Sequence, residues 1–161
     1  MVVLGIDPGY AIVGYGVVEI HGQRLTPLQY GAIRTAADLP ISARLREIYD
    51  DMTHILDAFH PDCVAMERLY FNTNEKTAIN VSQARGVLLL ACEQAEKPVF
   101  EYTPLQVKMS VVGYGRAEKR QVMEMTQRIL SLKEIPKPDD AADALAIAVC
   151  HAHTARSPLS R

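Results

Sequence analysis

The sequence has few cysteines and no long apolar run, and each absence excludes a class of protein. Its three cysteines, Cys63, Cys92 and Cys150, form no CxxC pair and are odd in number. Each lies among apolar residues, so we expect reduced core thiols in a cytoplasmic protein. No apolar run reaches the roughly 18 residues of a membrane span, and we expect no membrane association. The opening MVVLGIDPG lacks a basic region and predicts a strand, not a signal peptide.

The size and charge of the chain indicate one ordinary soluble domain. With 161 residues, we expect a single domain over 1–155 and a short tail at 156–161. The net charge of -2 indicates no particular partner. Bases outnumber acids from Lys108 to Lys137, which is compatible with a basic patch or with a solvated helix face.

Hydrophobic periodicity predicts a mixed α/β sheet. The segments VVLGID, AIVGYGVVEIHG and QRLTPLQYGAIRT read as three strands in an antiparallel meander. Helix and strand then alternate twice, with helices at 40–60 and 74–96 and strands in PDCVAME and PVFEYT. Two more helices follow, AEKRQVMEMTQRILSL and PDDAADALAIAVCHA, after a less regular segment with a short helix and a glycine loop. Helical crossovers imply parallel pairing of the later strands in one five-stranded sheet flanked by helices.

Acidic residues end two of these strands. Asp7 follows the apolar run VVLGI, and Glu67 follows CVAM. Ligands of α/β folds gather at strand ends, so both are candidates for function. The alternatives are an aspartate that caps its own turn and a glutamate that faces water.

Three more acids open the last helix, in PDDAADALAIAVCHA. Asp140 and Asp143 are three positions apart and Asp139 and Asp143 four apart, so spacing alone does not choose between Asp139 and Asp140. A helix cap and the helix dipole account for one or two of these acids. Neither accounts for Asp143, whose alanine neighbours indicate a helix lying close against the sheet, where a carboxylate is costly unless paired or bound to a cation.

Two strand-end acids and two helix acids can form a cluster of four carboxylates. Such a cluster repels itself unless a cation offsets the charge. All-oxygen ligands favour Mg²⁺ or Mn²⁺. Two ions about 4 Å apart suit metal-dependent hydrolysis of a phosphodiester.

Other candidates are weaker. His151 and His153 point to different sides of a helix and do not make a zinc site together. Tyr70 and Phe71 lead into a polar loop and can stack on bases, although aromatic pairs are more often core. Lys108 and Lys119 flank the glycine loop and can contact phosphates.

The motifs GIDPG, GYG, QARGV, PVFEYTPLQVK, VVGYGRAEK and DDAADALAIA resemble the RuvC Holliday-junction resolvases, in order and spacing, from about Val3 to His153. The resemblance implies a ribonuclease H-like nuclease domain that hydrolyses four-way junction DNA with two Mg²⁺ ions per site, for which Mn²⁺ substitutes. It also implies a homodimer that cuts two strands symmetrically during recombination and repair, beside a branch-migration motor.

The same resemblance assigns residues. The four catalytic and metal-binding carboxylates map onto Asp7, Glu67, Asp140 and Asp143, which leaves Asp139 as a cap or an outer acid. The aromatic that inserts at the junction maps onto Tyr70 or its neighbour Phe71, and the basic DNA contacts map onto Lys108 and Lys119. The apolar GVLLLAC of the second helix is a candidate for the dimer interface or for core.

Three rival functions stay in view. An ATP-binding protein of the sugar-kinase and actin type also begins with an apolar strand, an aspartate and a glycine-rich hairpin. Such a protein needs two of these domains to enclose the nucleotide. A nuclease of the same fold that cuts RNA–DNA hybrids or duplexes would use the same chemistry. A junction-binding protein that does not cut would have no use for four clustered acids.

Overall fold

A computed structural model of the chain describes residues 1–69 and 75–155. Tyr70 and Phe71 lie outside the described residues. In chain order the elements are β1 (Val2–Asp7), β2 (Ile12–His21), β3 (Arg24–Arg34), α1 (Ile41–Phe59), β4 (Cys63–Glu67), α2 (Glu75–Gln94), β5 (Val99–Tyr102), α3 (Pro104–Val112), α4 (Lys119–Ile129) and α5 (Asp139–Ala155).

The five strands form one mixed sheet in the order β3-β2-β1-β4-β5. The first three strands pair antiparallel, and β4 and β5 add in parallel to β1. Helical crossovers precede both parallel strands, as their pairing requires. The predicted fold class, a five-stranded mixed sheet flanked by helices, is confirmed.

Helices cover both faces of this sheet and divide the core in two. On one face α1 and α2 bury Ile48, Met52 and Leu88 against β1, β2 and β4. On the other face α5 buries Leu145 and Val149, with α3 and α4 packed outside it. Alternate side chains of β1 enter opposite halves of the core, because successive residues of a strand face opposite ways.

Glycines in β1 and β2 allow α5 to lie directly on the sheet. A Cβ atom on Gly5 would stand 2.1 Å from the carbonyl oxygen of Ala144, and one on Gly14 would stand 2.0 Å from that of Asp140. These separations are far below contact distance, so only glycine permits this approach. The close fit fixes where the first turn of α5 stands relative to the end of β1.

The two histidines of α5 contact different elements. The Nδ1 atom of His151 lies 2.8 Å from the hydroxyl of Tyr102, and its Nε2 atom lies 3.2 Å from the Sγ atom of Cys63. The His153 ring instead approaches Ser110, whose carbonyl oxygen is 3.1 Å from its Nδ1 atom. His151 therefore serves as a buried polar link between α5 and two strands.

The cysteines are free and buried. Across residues 1–69 and 75–155, none of the helices is both long enough and apolar enough to cross a bilayer.

Candidate active site

The predicted carboxylates meet at one end of the sheet. Asp7 and Glu67 are the last residues of the parallel neighbours β1 and β4, where Ile6 pairs with Met66. Asp7 also pairs with Gly14, and it is over Gly14 that the backbone of Asp140 lies. The first turn of α5 therefore lies beside the ends of these strands.

The ionisation of Asp7 shows how closely these charges interact. Burial, and then the charges of Glu67, Asp143 and Asp140, raise the pKa of Asp7 from 3.8 to about 8. Burial and Asp143 also raise the pKa of Glu67. Asp139 is not among the groups that act on Asp7. Of the two acids that spacing left open, only Asp140 raises the pKa of Asp7, whereas both raise that of Asp143.

Lys119 supplies the positive charge that faces this cluster. Its Nζ atom lies 2.9 Å from a carboxylate oxygen of Asp143 and 3.6 Å from one of Asp139. Burial alone would lower the pKa of Lys119, but its hydrogen bond to Asp143 and the neighbouring acids raise it. Asp139 is exposed, and its side chain contacts Lys119. The ammonium therefore offsets part of the carboxylate charge in the protein alone.

A cleft of about 200 Å³ opens beside the cluster and is lined by Glu67 and Asp143 together with Lys108 and Lys119. α3 carries Lys108 to it, and a capping box at Thr103 fixes where that helix begins. Both lysines that the sequence singled out therefore lie at the same cleft as two of the acids.

The cluster has the donor chemistry of a hard divalent cation, although the side chains do not already surround one. Within the two described ranges, no three Asp, Glu, His or Cys side chains form a set that could hold a metal ion. Lys119 contacts Asp143 instead. The donors are nevertheless all carboxylate oxygens, and a group such as Asp7, neutral at pH 7, regains its charge most readily beside a cation. The residues thus fit Mg²⁺ or Mn²⁺ by chemistry.

This raised pKa predicts a dependence of stability on pH and metal. A carboxyl group that ionises at about 8 when folded and at 3.8 when unfolded stabilises the fold fully below pH 3.8, and this stabilisation is lost as pH rises through about 8. In metal-free buffer, thermal melts should show the midpoint falling over that interval. Mg²⁺ should raise the midpoint more at pH 8 than at pH 6, because protons compete with the metal. Equal shifts at both pH values would contradict this account.

Comparison with known proteins identifies the family. The family described as crossover junction endodeoxyribonuclease RuvC matches residues 3–151. The chain belongs to the RuvC family. The RuvC of Brevibacillus brevis is 57% identical over 152 residues, which cover 94% of this chain and 92% of that one. The RuvC of Clostridioides difficile is 56% identical over 154 residues, covering 96% and 91%.

Solved RuvC structures agree with this fold. The structure described as Thermus thermophilus RuvC in complex with Holliday junction substrate superimposes with a TM-score of 0.92 at 39% identity, covering 97% of this chain and 95% of that one. The yeast mitochondrial resolvase Ydc2 shares the fold at 16% identity, with a TM-score of 0.68. The chain is therefore a nuclease of the RuvC family with a ribonuclease H-like fold.

Sequence reasoning missed the side-chain contacts between elements. Lys119 forms ion pairs with Asp139 and Asp143, and the pattern of the sequence did not indicate this partner for Asp139. Arg85 of α2 pairs with Glu101 of β5, and neither residue was a candidate. The quoted motifs QARGV and PVFEYT contain both residues, but a pattern of letters does not indicate that they meet.

Proposed function

We propose that this chain is a divalent-metal-dependent endonuclease that resolves four-way DNA junctions, with Asp7, Glu67, Asp140 and Asp143 as its catalytic carboxylates. The observation that carries the proposal is that Asp7 and Glu67 end neighbouring parallel strands, beside the first turn of α5 that carries Asp140 and Asp143. Membership of the RuvC family supports it independently.

We propose two Mg²⁺ ions at this site, for which Mn²⁺ can substitute. Bound divalent ions supply a nucleophilic water at neutral pH and stabilise the departing oxygen of the phosphodiester. Asp7, on which the charges of the other three acids act, would hold the metal at the end of β1. Glu67, Asp140 and Asp143 would supply the remaining carboxylate oxygens. Because Gly14 fixes α5 against the strand ends, these ligands are carried by rigid elements rather than by loops.

Lysines at the cleft are proposed to hold the DNA backbone. Lys108 and Lys119 line the cleft with Glu67 and Asp143, so a strand that they bind passes the carboxylates. Lys119, which pairs with Asp143 in the protein alone, would contact a DNA phosphate when Asp143 binds a cation. We also propose that Tyr70 or Phe71 inserts at the junction.

Paired symmetric cuts require two copies of the site, and we propose a homodimer with twofold symmetry. The exposed Ile79 and Leu90 on α2 are compatible with its interface. A branch-migration motor is the proposed working partner. The cytoplasm is the proposed location, since it suits both a DNA substrate and reduced thiols.

Cleavage of a synthetic four-way junction tests the function. We expect two symmetric nicks with Mg²⁺ or Mn²⁺ and none in EDTA. A linear duplex and an RNA–DNA hybrid of equal length should be cut at least about a hundredfold more slowly, which corresponds to about 2.7 kcal/mol of discrimination. Equal cutting of the linear substrates would favour a general nuclease, and binding that returns only intact junction would favour a protein without nuclease activity.

A further inference from the structure

A second pocket lies beyond the end of β4, on the sheet face away from α5. It has a volume of about 260 Å³ and is lined by Arg68, Leu69, Ser82, Arg85 and Glu101; we call it the arginine pocket. Glu67 lines the carboxylate cleft, whereas the next residue, Arg68, lines this pocket. Adjacent residues at one strand end thus serve two different cavities.

Arg85 is the polar centre of the arginine pocket. Its side chain is partly buried and pairs with Glu101 of the edge strand β5. Its Nε atom is buried and has no hydrogen-bond partner among the described residues. A buried donor without an acceptor costs about 1–3 kcal/mol. The Nε atom itself is closed to solvent, so what Arg85 offers the pocket is the positive charge of its guanidinium.

The charge and polar groups of the pocket favour an anion. Two arginines against one glutamate leave a formal excess of one positive charge. Arg68 is exposed and forms no ion pair within the part of the chain that the structure describes. A guanidinium matches the oxygens of a phosphate, and Ser82 adds a hydroxyl donor.

We propose that the arginine pocket binds a backbone phosphate of the junction DNA other than the one that is cut. This inference rests on the proposed function, and it adds a contact on the opposite side of Glu67 from Lys108 and Lys119. The DNA backbone is then held on both sides of the end of β4. Such a contact fixes the register of the strand in the cleft without reading its sequence.

The salt dependence of binding tests this contact. Affinity of a labelled junction is measured in EDTA, where no cutting occurs, from about 50 to about 200 mM salt. For Arg68→Gln we expect the slope of log K against log salt to fall in magnitude by about 0.9, the value of one phosphate contact. Arg24→Gln is the matched control, because Arg24 is exposed at the opposite end of the sheet. A slope equal to the wild type for Arg68→Gln overturns the proposal.

A scan with single methylphosphonates, which are neutral, then locates the phosphate. A methylphosphonate at one linkage should lower the affinity of the wild type by as much as the Arg68→Gln substitution does. The same methylphosphonate should not lower the affinity of Arg68→Gln any further. Arg85→Lys, which keeps the positive charge beside Glu101, should keep the wild-type loss at this linkage, with a thermal melt to confirm folding. For Arg68→Gln, additive losses at every linkage overturn the proposal. Normal binding without cutting in Mg²⁺ would contradict only the proposed function, and a wild type that binds no junction would overturn both.

Discussion

Asp7→Asn is expected to slow junction cleavage by at least about a thousandfold, or about 4 kcal/mol of transition-state stabilisation. Asparagine keeps the shape of the side chain but removes the charge that would draw a cation to the end of β1. Junction affinity in EDTA should change less than about threefold, because basic side chains hold the phosphates and this acid does not. Single-turnover cleavage at saturating enzyme separates the two effects.

Asp139→Asn is the matched control for this variant. Asp139 is exposed, contacts Lys119 and does not act on Asp7. Removal of its charge should lower the rate of cleavage by less than about tenfold, because Lys119 loses one of its two ion-pair partners. The Asp7 variant should also melt higher than the wild type in metal-free buffer at pH 8, because it buries no charge there. Wild-type cleavage by Asp7→Asn, or an equal loss in both variants, would refute the assignment.

Gly14→Ala is expected to have the second large effect, on both stability and cleavage. The new Cβ would stand 2.0 Å from the carbonyl oxygen of Asp140 and 2.4 Å from its carbon. These are backbone atoms that cannot rotate away, so α5 must move off the sheet. Overpacking of this kind costs about 1–3 kcal/mol or more. A shift of about 1 Å in the carboxylates of α5 should lower cleavage about a hundredfold.

Gly86→Ala serves as the comparison for that substitution. Gly86 lies within α2, and no atom stands within 4 Å of a Cβ built there. Alanine is favoured over glycine within a helix by about 0.8–1.0 kcal/mol, so this variant should melt slightly higher at protein concentrations where the chain is monomeric and the proposed interface around Ile79 and Leu90 is open. Chemical denaturation measures both variants. If Gly14→Ala were as stable as the wild type, the close approach of α5 would be wrong.

The order of helices and strands could be predicted because each has a local signal. Apolar gaps of three and four residues predict α1, where Ile48, Met52 and Leu56 are buried. Short β-branched runs between glycine and proline signals predict the strands. The pairing of those strands followed from the lengths of their connections. The meeting of Asp7 and Glu67 then followed as well, since parallel strands end at the same edge of a sheet.

Contacts made by long charged side chains could not be predicted in this way. Arg44 is buried on the inner face of α1, where its guanidinium donates to Thr35 and lies 4.5 Å above the ring of Tyr10. The sequence pattern predicts only that Arg44 is a polar residue of a helix. Lys119 and Arg85 likewise find partners far along the chain. Such pairs depend on tertiary geometry, which hydrophobic periodicity does not encode.

The acids at positions 7 and 143 are separated by most of the chain, and α5 rests on β1 and β2 through backbone-to-backbone fit. Bringing such remote segments together requires closing a very long loop, which happens only when the core forms as a whole. A partly folded chain therefore does not bring these acids together, and the proposed cleavage should require the complete fold.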